Sequence, residues 1–248
     1  MKRSEINRLL ERAMGFFKKM GWYLPPFAFY PAQDWSSIIN DEDKSRMHSQ
    51  ILNKCLGWDV TDFGSGEFEQ EGLLLFTLRN GDMGTSRSYA EKIMLVEEDQ
   101  VTPWHYHWQK SEDIINRGGG NLVLELYWAA EVERKSPMDP QVEGEFNTEK
   151  SIDVLQDGIF RPYSPGSKVV IEPGESIVLP PFLYHKFYGE GDKGPVMVGE
   201  VSRVNDDLSD NRFYKKMSRY SPIENDVPPT YLLCNEYAKI NQILSSFS

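Results

Sequence analysis

Residues 104–113 read WHYHWQKSED and contain His105 and His107, two of only four histidines in the chain. On a β-strand the H-x-H spacing puts both imidazoles on one face, because side chains alternate with period two. Short apolar or alternating runs surround this stretch: GLLLFTLRNG (72–81), EKIMLVEED (91–99), NLVLELYWA (121–129), SKVVIEPG (167–174), ESIVLPP (175–181), YHKFYG (184–189) and PVMVGEVSRV (195–204). Gly, Pro, Asn and Asp separate them, as in antiparallel strands joined by tight connections. A helical preface followed by about eight such strands predicts a mainly β fold, a barrel or sandwich of the jelly-roll type.

Outward from the strands, the pattern is that of a single domain over 1–248. Residues 1–60 form a helical N-terminal extension, about 70–205 the β-barrel core, and 206–248 an appended C-terminal segment, of which 222–248 packs outside the barrel. In the extension, Ser4 is placed to cap a helix whose stripe is Ile6, Leu9, Leu10, Ala13 and Phe17. Gly21 and Pro25-Pro26 end that helix, and a second is expected over about 34–55 with Gly57 as its stop. His48, in the polar run RMHSQ, reads as a surface histidine. The acidic, weakly patterned region 135–157 reads as a long surface loop or lid.

The chain has 248 residues, 40% of them apolar and 12% aromatic, a globular composition. Its net charge of −11 argues against nucleic acid or an anionic membrane as partner and favours a neutral substrate or a cation. Cys55 and Cys234 stand in no metal or disulfide pattern and read as buried thiols of a reducing cytoplasm. The N-terminal stretch MKRSEINRLLERAMGFFKKMGW carries charge where a signal peptide is apolar, and no run approaches the roughly 20 apolar residues of a membrane span. A soluble cytoplasmic protein is expected.

His105, His107 and Glu112 form H-x-H-x4-E, with Gly118, Gly119 and Gly120 following. Further on, PGESIVLPPFLYHKFYG (173–189) contains Gly174, Pro180 and His185 as G-x5-P-x4-H. Three imidazoles and a carboxylate suit a divalent ion such as Mn, Fe, Co, Ni or Zn, and leave two octahedral positions for adjacent oxygens of a substrate. The arrangement resembles the two signature motifs of the cupin superfamily. It departs from them at Asp99 and Phe182, where Gly is usual, and at Gly189, where Asn is common. These are turn positions, so the departures touch loop shape and not the ligands.

A cupin metal site does not by itself name a reaction. Lys110 lies between His107 and Glu112, either directed at the open coordination positions or facing solvent. Lys92 shares a strand face with Met94 and Val96, and a lysine pointing into a barrel needs a partner. Glu125 raises the same question. Glu200, in the apolar run PVMVGEV, should have its pKa pushed up unless a cation compensates, which suits a general base; pairing with Arg203 is the competing reading. Arg203, Asn205, Asp206, Asp207, Asp210, Asn211 and Arg212 form a polar cluster fit either for a polyhydroxylated ligand or for a solvated loop. Trp104, Tyr106, Trp108, Trp128 and Phe187 are candidates to stack on a sugar.

The motifs EVSxVNDDxxDNRF (200–213) and WHxHWxKxEDIINRGGG (104–120), with Lys92 upstream, resemble the bacterial D-lyxose isomerase family of cupins. The resemblance implies a homodimeric aldose-ketose isomerase acting on D-lyxose and D-xylulose, and often on D-mannose. It implies a divalent metal, usually Mn2+, on His105, His107, Glu112 and His185, with Glu200 as the base. Lys110 would offset oxyanion charge and shuttle the O1/O2 proton, while Lys92, Asp210 and Arg212 would hold the distal hydroxyls. Three other readings stay open. A cupin phosphosugar isomerase needs a cationic pocket, an iron dioxygenase shares only the ligand type, and a non-catalytic sugar sensor would bind without turnover.

Overall fold

The structure, a computed structural model, describes residues 1–135, 142–204, 206 and 209–247. Helices α1 (Arg3–Lys19), α2 (Ala32–Ile39), α3 (Glu42–Met47) and α4 (Ser49–Asn53) precede the barrel. The strands follow as β1 (Gly57–Thr61), β2 (Leu73–Asn80), β3 (Tyr89–Val96), β4 (Thr102–His107), β5 (Glu112–Gly119) and β6 (Leu122–Ala129). After α5 (Glu131–Lys135) come β7 (Phe146–Asn147), β8 (Ile152–Gln156), β9 (Ile159–Tyr163), β10 (Lys168–Ile171), β11 (Ser176–Leu179), β12 (Leu183–Gly189), β13 (Val196–Arg203) and β14 (Asn211–Phe213), then α6 (Ile240–Ser245).

An eight-stranded antiparallel sheet runs β1-β2-β3-β13-β5-β11-β8-β9 and a six-stranded one β10-β6-β12-β4-β14 with β7 beside β6. Leu75, Met94, Val96 and Ile114 of the first pack in one core with Leu124, Leu126, Leu183 and Phe187 of the second. Each such side chain contributes about 1.5–3 kcal/mol by leaving water. On its other face the eight-stranded sheet meets α1, whose Ile6, Leu9, Leu10, Ala13 and Phe17 lie against Phe76, Ile93, Leu95 and Met197. Burial on both faces explains why β3 and β13 read as continuous apolar runs with no alternation.

Several elements differ from the sequence reading. Ser4 lies inside α1, whose N-cap is Lys2. The end is held from outside: Asp226 accepts from the Ser4 N–H at 2.9 Å and from its hydroxyl at 2.6 Å. The second helix is broken into three, because the Asp41 carboxylate accepts from Lys44 N and restarts the chain as α3. Gly57 opens β1. Within the stretch read as a loop or lid, β7 and β8 are strands, and residues 136–141 lie outside the described residues. Strand β14 joins the six-stranded sheet, although 206–248 read as an appendage. The chain's last part does pack on the helices, with Trp35 and Tyr237 rings 4.5 Å apart and Arg3 donating to Glu236 at 3.0 Å. Cys234 is buried as expected but Cys55 is exposed, and neither forms a disulfide among the described residues. No helix among the described residues is long and apolar enough to cross a membrane.

Asp99 and Phe182, the two departures from glycine in the cupin motifs, sit in the left-handed region at φ 56° and 65°. That conformation costs a non-glycine residue about 1–2 kcal/mol. At Phe182 two ladder hydrogen bonds offset it, N–H to His107 O at 3.1 Å and C=O from Ala129 N at 2.9 Å.

Candidate metal centre and the facing wall

Strand β12 pairs with β4 so that His185 stands opposite His105, and His107 follows two residues on, which collects three imidazoles on the inner face of the six-stranded sheet. The His105 and His185 ring centroids are 4.2 Å apart. Glu112, the first residue of β5, reaches them from the facing sheet, and one ligand atom from each of the four lies within 4.8 Å of the others. Nδ1 of His105 is 2.8 Å from Pro103 O and Nδ1 of His185 is 2.9 Å from Leu183 O. A carbonyl can only accept, so these nitrogens carry the protons and Nε2 presents a lone pair. The lone pair of His185 Nε2 then lies 3.1 Å from Glu112 Oε1. Two electron-rich atoms that close call for a cation between them. Among the described residues, both ring nitrogens of His107 and Nε2 of His185 are moreover buried without a hydrogen-bond partner, a state native interiors rarely leave unexplained. Burial, and then the neighbouring imidazoles, hold the His105 pKa well below the ordinary histidine value; burial and then the Lys110 ammonium lower that of His107. Neutral imidazoles with one carboxylate fit a divalent metal, which these four residues could hold.

The opposite wall carries charge. Glu200 on β13 stands directly across from Lys92 on β3, and Ser202 across from Glu112 on β5. Lys110 Nζ is 2.7 Å from Glu112 Oε2 and 2.8 Å from Glu200 Oε1, and Lys92 Nζ is 3.4 Å from the same Glu200 oxygen. All four groups are buried. Burial alone would raise both carboxyls, as the apolar run around Glu200 suggested. The ammonium groups outweigh it: Lys110 with His107 takes Glu112 well below the usual carboxylate range, and Lys110 with Lys92 lowers Glu200. Burial likewise would lower Lys110, but its two carboxylates raise it above an ordinary lysine. Arg203, the competing partner for Glu200, points outward and donates to Gln109 O at 3.4 Å.

The remaining sequence candidates divide. Lys92, Lys110 and Glu200 line one cavity with His105, His107 and Glu112. Asp210 and Arg212 do not. The Asp210 carboxylate accepts from the backbone N–H of Gln109 at 2.8 Å and of Lys110 at 3.0 Å, so it shapes the turn that presents Lys110. Arg212 lies on the outer face of β14 and donates to Phe213 O at 3.1 Å and Val142 O at 2.9 Å. Its neighbours Asn211 and Phe213 face the cavity instead, opposite His107 and His105, and Arg219, bound to Asp59 at 2.5 Å, also lines it. Asn205 and Asp207 lie outside the described residues. Of the candidate stacking aromatics, only Phe187 lines the cavity; Trp104, Tyr106 and Trp108 pack on the outer face with Phe182 and Tyr184. Glu125 pairs with Lys186 at 3.2 Å, away from the site.

Two curled antiparallel sheets, three histidines on one and a glutamate on the other define a cupin-type barrel with a candidate metal centre. The sequence places it more narrowly, for the model of the D-lyxose isomerase family matches residues 1–237. A D-lyxose/D-mannose isomerase of Serratia proteamaculans is 44% identical over 242 residues, covering 96% of this chain and 99% of that protein. Another, of Escherichia coli O157:H7, is 45% identical over 240 residues, covering 96% and 98%. Among solved structures, the L-ribose isomerase of Cellulomonas parahominis with L-ribose aligns with a TM-score of 0.57 at 15% identity, covering 90% of this chain and 98% of that one. The L-ribose isomerase of Geodermatophilus obscurus gives 0.56, also at 15% identity and the same coverage. At such identity the likeness concerns the fold. The chain belongs to the D-lyxose isomerase family, and its reaction class is aldose-ketose isomerisation.

Proposed function

We propose that this protein interconverts D-lyxose with D-xylulose, and D-mannose with D-fructose, as a Mn2+-dependent cytoplasmic homodimer. The substrates are those in the names of its relatives. The observation that carries the reading is Glu200, an ionised carboxylate facing the imidazole wall across a cavity. A divalent ion on His105, His107, Glu112 and His185, when bound, supplies Lewis acidity toward two adjacent sugar oxygens.

The proton work falls to the chain. Glu200 takes the proton from C2 of the open-chain aldose; the C2–H pair becomes the C1=C2 bond, and the carbonyl oxygen gains a proton, giving an enediol. The C2 hydroxyl then loses its proton as C2=O forms, and Glu200 returns its proton to C1. One carboxylate reaching both carbons serves both steps. Lys110, held as a cation by two carboxylates, opposes negative charge developing on O1 and O2. The proton that the C2 hydroxyl loses balances the one the carbonyl oxygen gains, and Lys110, beside Glu112 and Glu200, is the group to relay it between O2 and O1. Lys92, with Asn211 and Arg219, meets the distal hydroxyls, while Asp210 acts through the turn before Glu112. The cations of this wall face carboxylates, which disfavours a phosphosugar.

The test is to add D-lyxose and D-mannose separately to EDTA-stripped protein with and without Mn2+. Ketose is expected from both sugars with the metal only. Ketose from a phosphosugar and from no free sugar would replace this reading.

A further inference from the structure

Among the described residues Glu200 receives all its side-chain contacts on one oxygen. Oε1 is 2.8 Å from Lys110 Nζ, 3.4 Å from Lys92 Nζ and 2.9 Å from the Ser202 hydroxyl. Oε2 has none. Ser202 lies two residues along β13, on the same inner face, and is buried. Its cross-strand neighbour is the ligand Glu112.

We propose that Ser202 is a positioning residue for the isomerisation: by donating to Oε1 it holds that oxygen out of the reaction and leaves Oε2 to carry the proton between C2 and C1. The inference rests on the reading of Glu200 as the base. The terminal torsion of a glutamate is broad and nearly two-fold, so an unrestrained carboxylate exchanges its oxygens by rotation. Transfer at two adjacent carbons needs one oxygen kept within about 3–3.5 Å of each, and rotation spoils that alignment. The two ammonium groups sit on long, flexible stems. A serine hydroxyl on the same strand has a single short rotor and adds the stiff part of the restraint.

The proton balance is closed. When the C2–H bond breaks and Oε2–H forms, Oε1 becomes the carbonyl oxygen of a neutral acid and can still accept from Ser202. When Oε2–H breaks and C1–H forms, the anion is restored. The Ser202 hydroxyl has one proton and a second acceptor within reach, its neighbour's carbonyl oxygen Arg203 O, also at 2.9 Å. The ionised carboxylate attracts that proton more strongly than a peptide carbonyl.

The experiment uses the Mn2+-loaded enzyme and its Ser202→Ala, Ser202→Thr and Glu200→Gln variants, with D-lyxose and D-lyxose deuterated at C2. In Ser202→Ala, kcat is expected to fall about 10-fold, the effect of losing one hydrogen bond to a charged group. KM and Mn2+ affinity should stay within about two-fold, and the isotope effect on kcat should grow, because only proton transfer is slowed. Ser202→Thr, which keeps the hydroxyl, should recover most of the rate. Native kcat and isotope effect in Ser202→Ala, with Glu200→Gln inactive, would remove the role of Ser202 and leave the base in place. Equal loss in the Ala and Thr variants, or a loss matched by weaker metal binding, would also overturn it. Turnover retained in Glu200→Gln would take away both readings.

Discussion

On the six-stranded wall, His105 and His185 are turned by main-chain carbonyls two residues back, whereas on the eight-stranded wall Glu112, Lys110, Glu200 and Lys92 orient one another by charge. The first kind of restraint is local, so His105 and His185 keep their directions whatever happens to their neighbours. The second is mutual, and removing one member leaves its partners as uncompensated buried charges. A ligand set that must wait for a cation suits the first, and a base whose charge changes in every turnover needs the second.

The largest effect should come from the imidazole wall. His105→Ala removes one neutral ligand, and turnover should fall on the order of 10³-fold, the several kcal/mol that metal charge stabilisation represents, with no recovery on adding Mn2+. Metal content by elemental analysis should drop with it, while the melting temperature without metal changes little. A large loss of stability in that variant would mean that the imidazoles are mutually held after all.

Lys110→Met should instead break the charged wall. It leaves Glu112 and Glu200 as buried carboxylates and should destabilise the metal-free protein by about 3–5 kcal/mol in denaturant. Saturating Mn2+ should reduce that loss, since the metal can neutralise Glu112 while Glu200 stays exposed to the change. Equal destabilisation with and without metal would separate Glu112 from the metal centre.

Acid acts on both walls in the same direction. His105, lowered from 6.5, stays neutral in the folded chain where the unfolded chain binds a proton, so its contribution is present above pH 6.5 and is lost as pH falls toward the folded value. Glu112, lowered from 4.5, adds stability above that pH and loses it further down. The melting temperature of the EDTA-treated protein should therefore fall in two stages below pH 6.5, and Mn2+ should delay the first.

Smallest of all should be the effect on substrate of Arg212→Met. The arginine faces outward, so the variant should lose about 1–3 kcal/mol of stability through its unmade hydrogen bonds, with KM unchanged. Arg219→Met, on the cavity side, should raise KM.

The contrast between Arg212 and Asn211 shows what could be read beforehand. His105, His107, Glu112 and His185 were legible because H-x-H is a strand period and the four together fill the ligand positions of the two cupin motifs. Glu200 stood out as a carboxylate in an apolar run. In NRF, however, nothing marks which residue faces inward, and a strand shifted by one residue reverses every side chain. The charged arginine looked like the ligand and the amide beside it faces the cavity. Arg219 lay beyond the motifs, and its place depends on Asp59, a pairing across 160 residues. Strands β5 and β8 escaped for a local reason. In each, burial follows the strand period but residue type does not: EDIINRGG turns Glu112 and Asn116 inward and Ile115 to the other face, and IDVLQ turns Gln156 inward and Leu155 to the other face.

The most direct test is Glu200→Gln, loaded with Mn2+ and assayed for D-xylulose from D-lyxose while metal affinity is measured on the same sample. The expected result is native Mn2+ affinity with kcat lower by about 10²–10⁴-fold, the contribution of a positioned base. Near-native turnover with the metal bound would contradict the assignment of the charged wall to proton transfer.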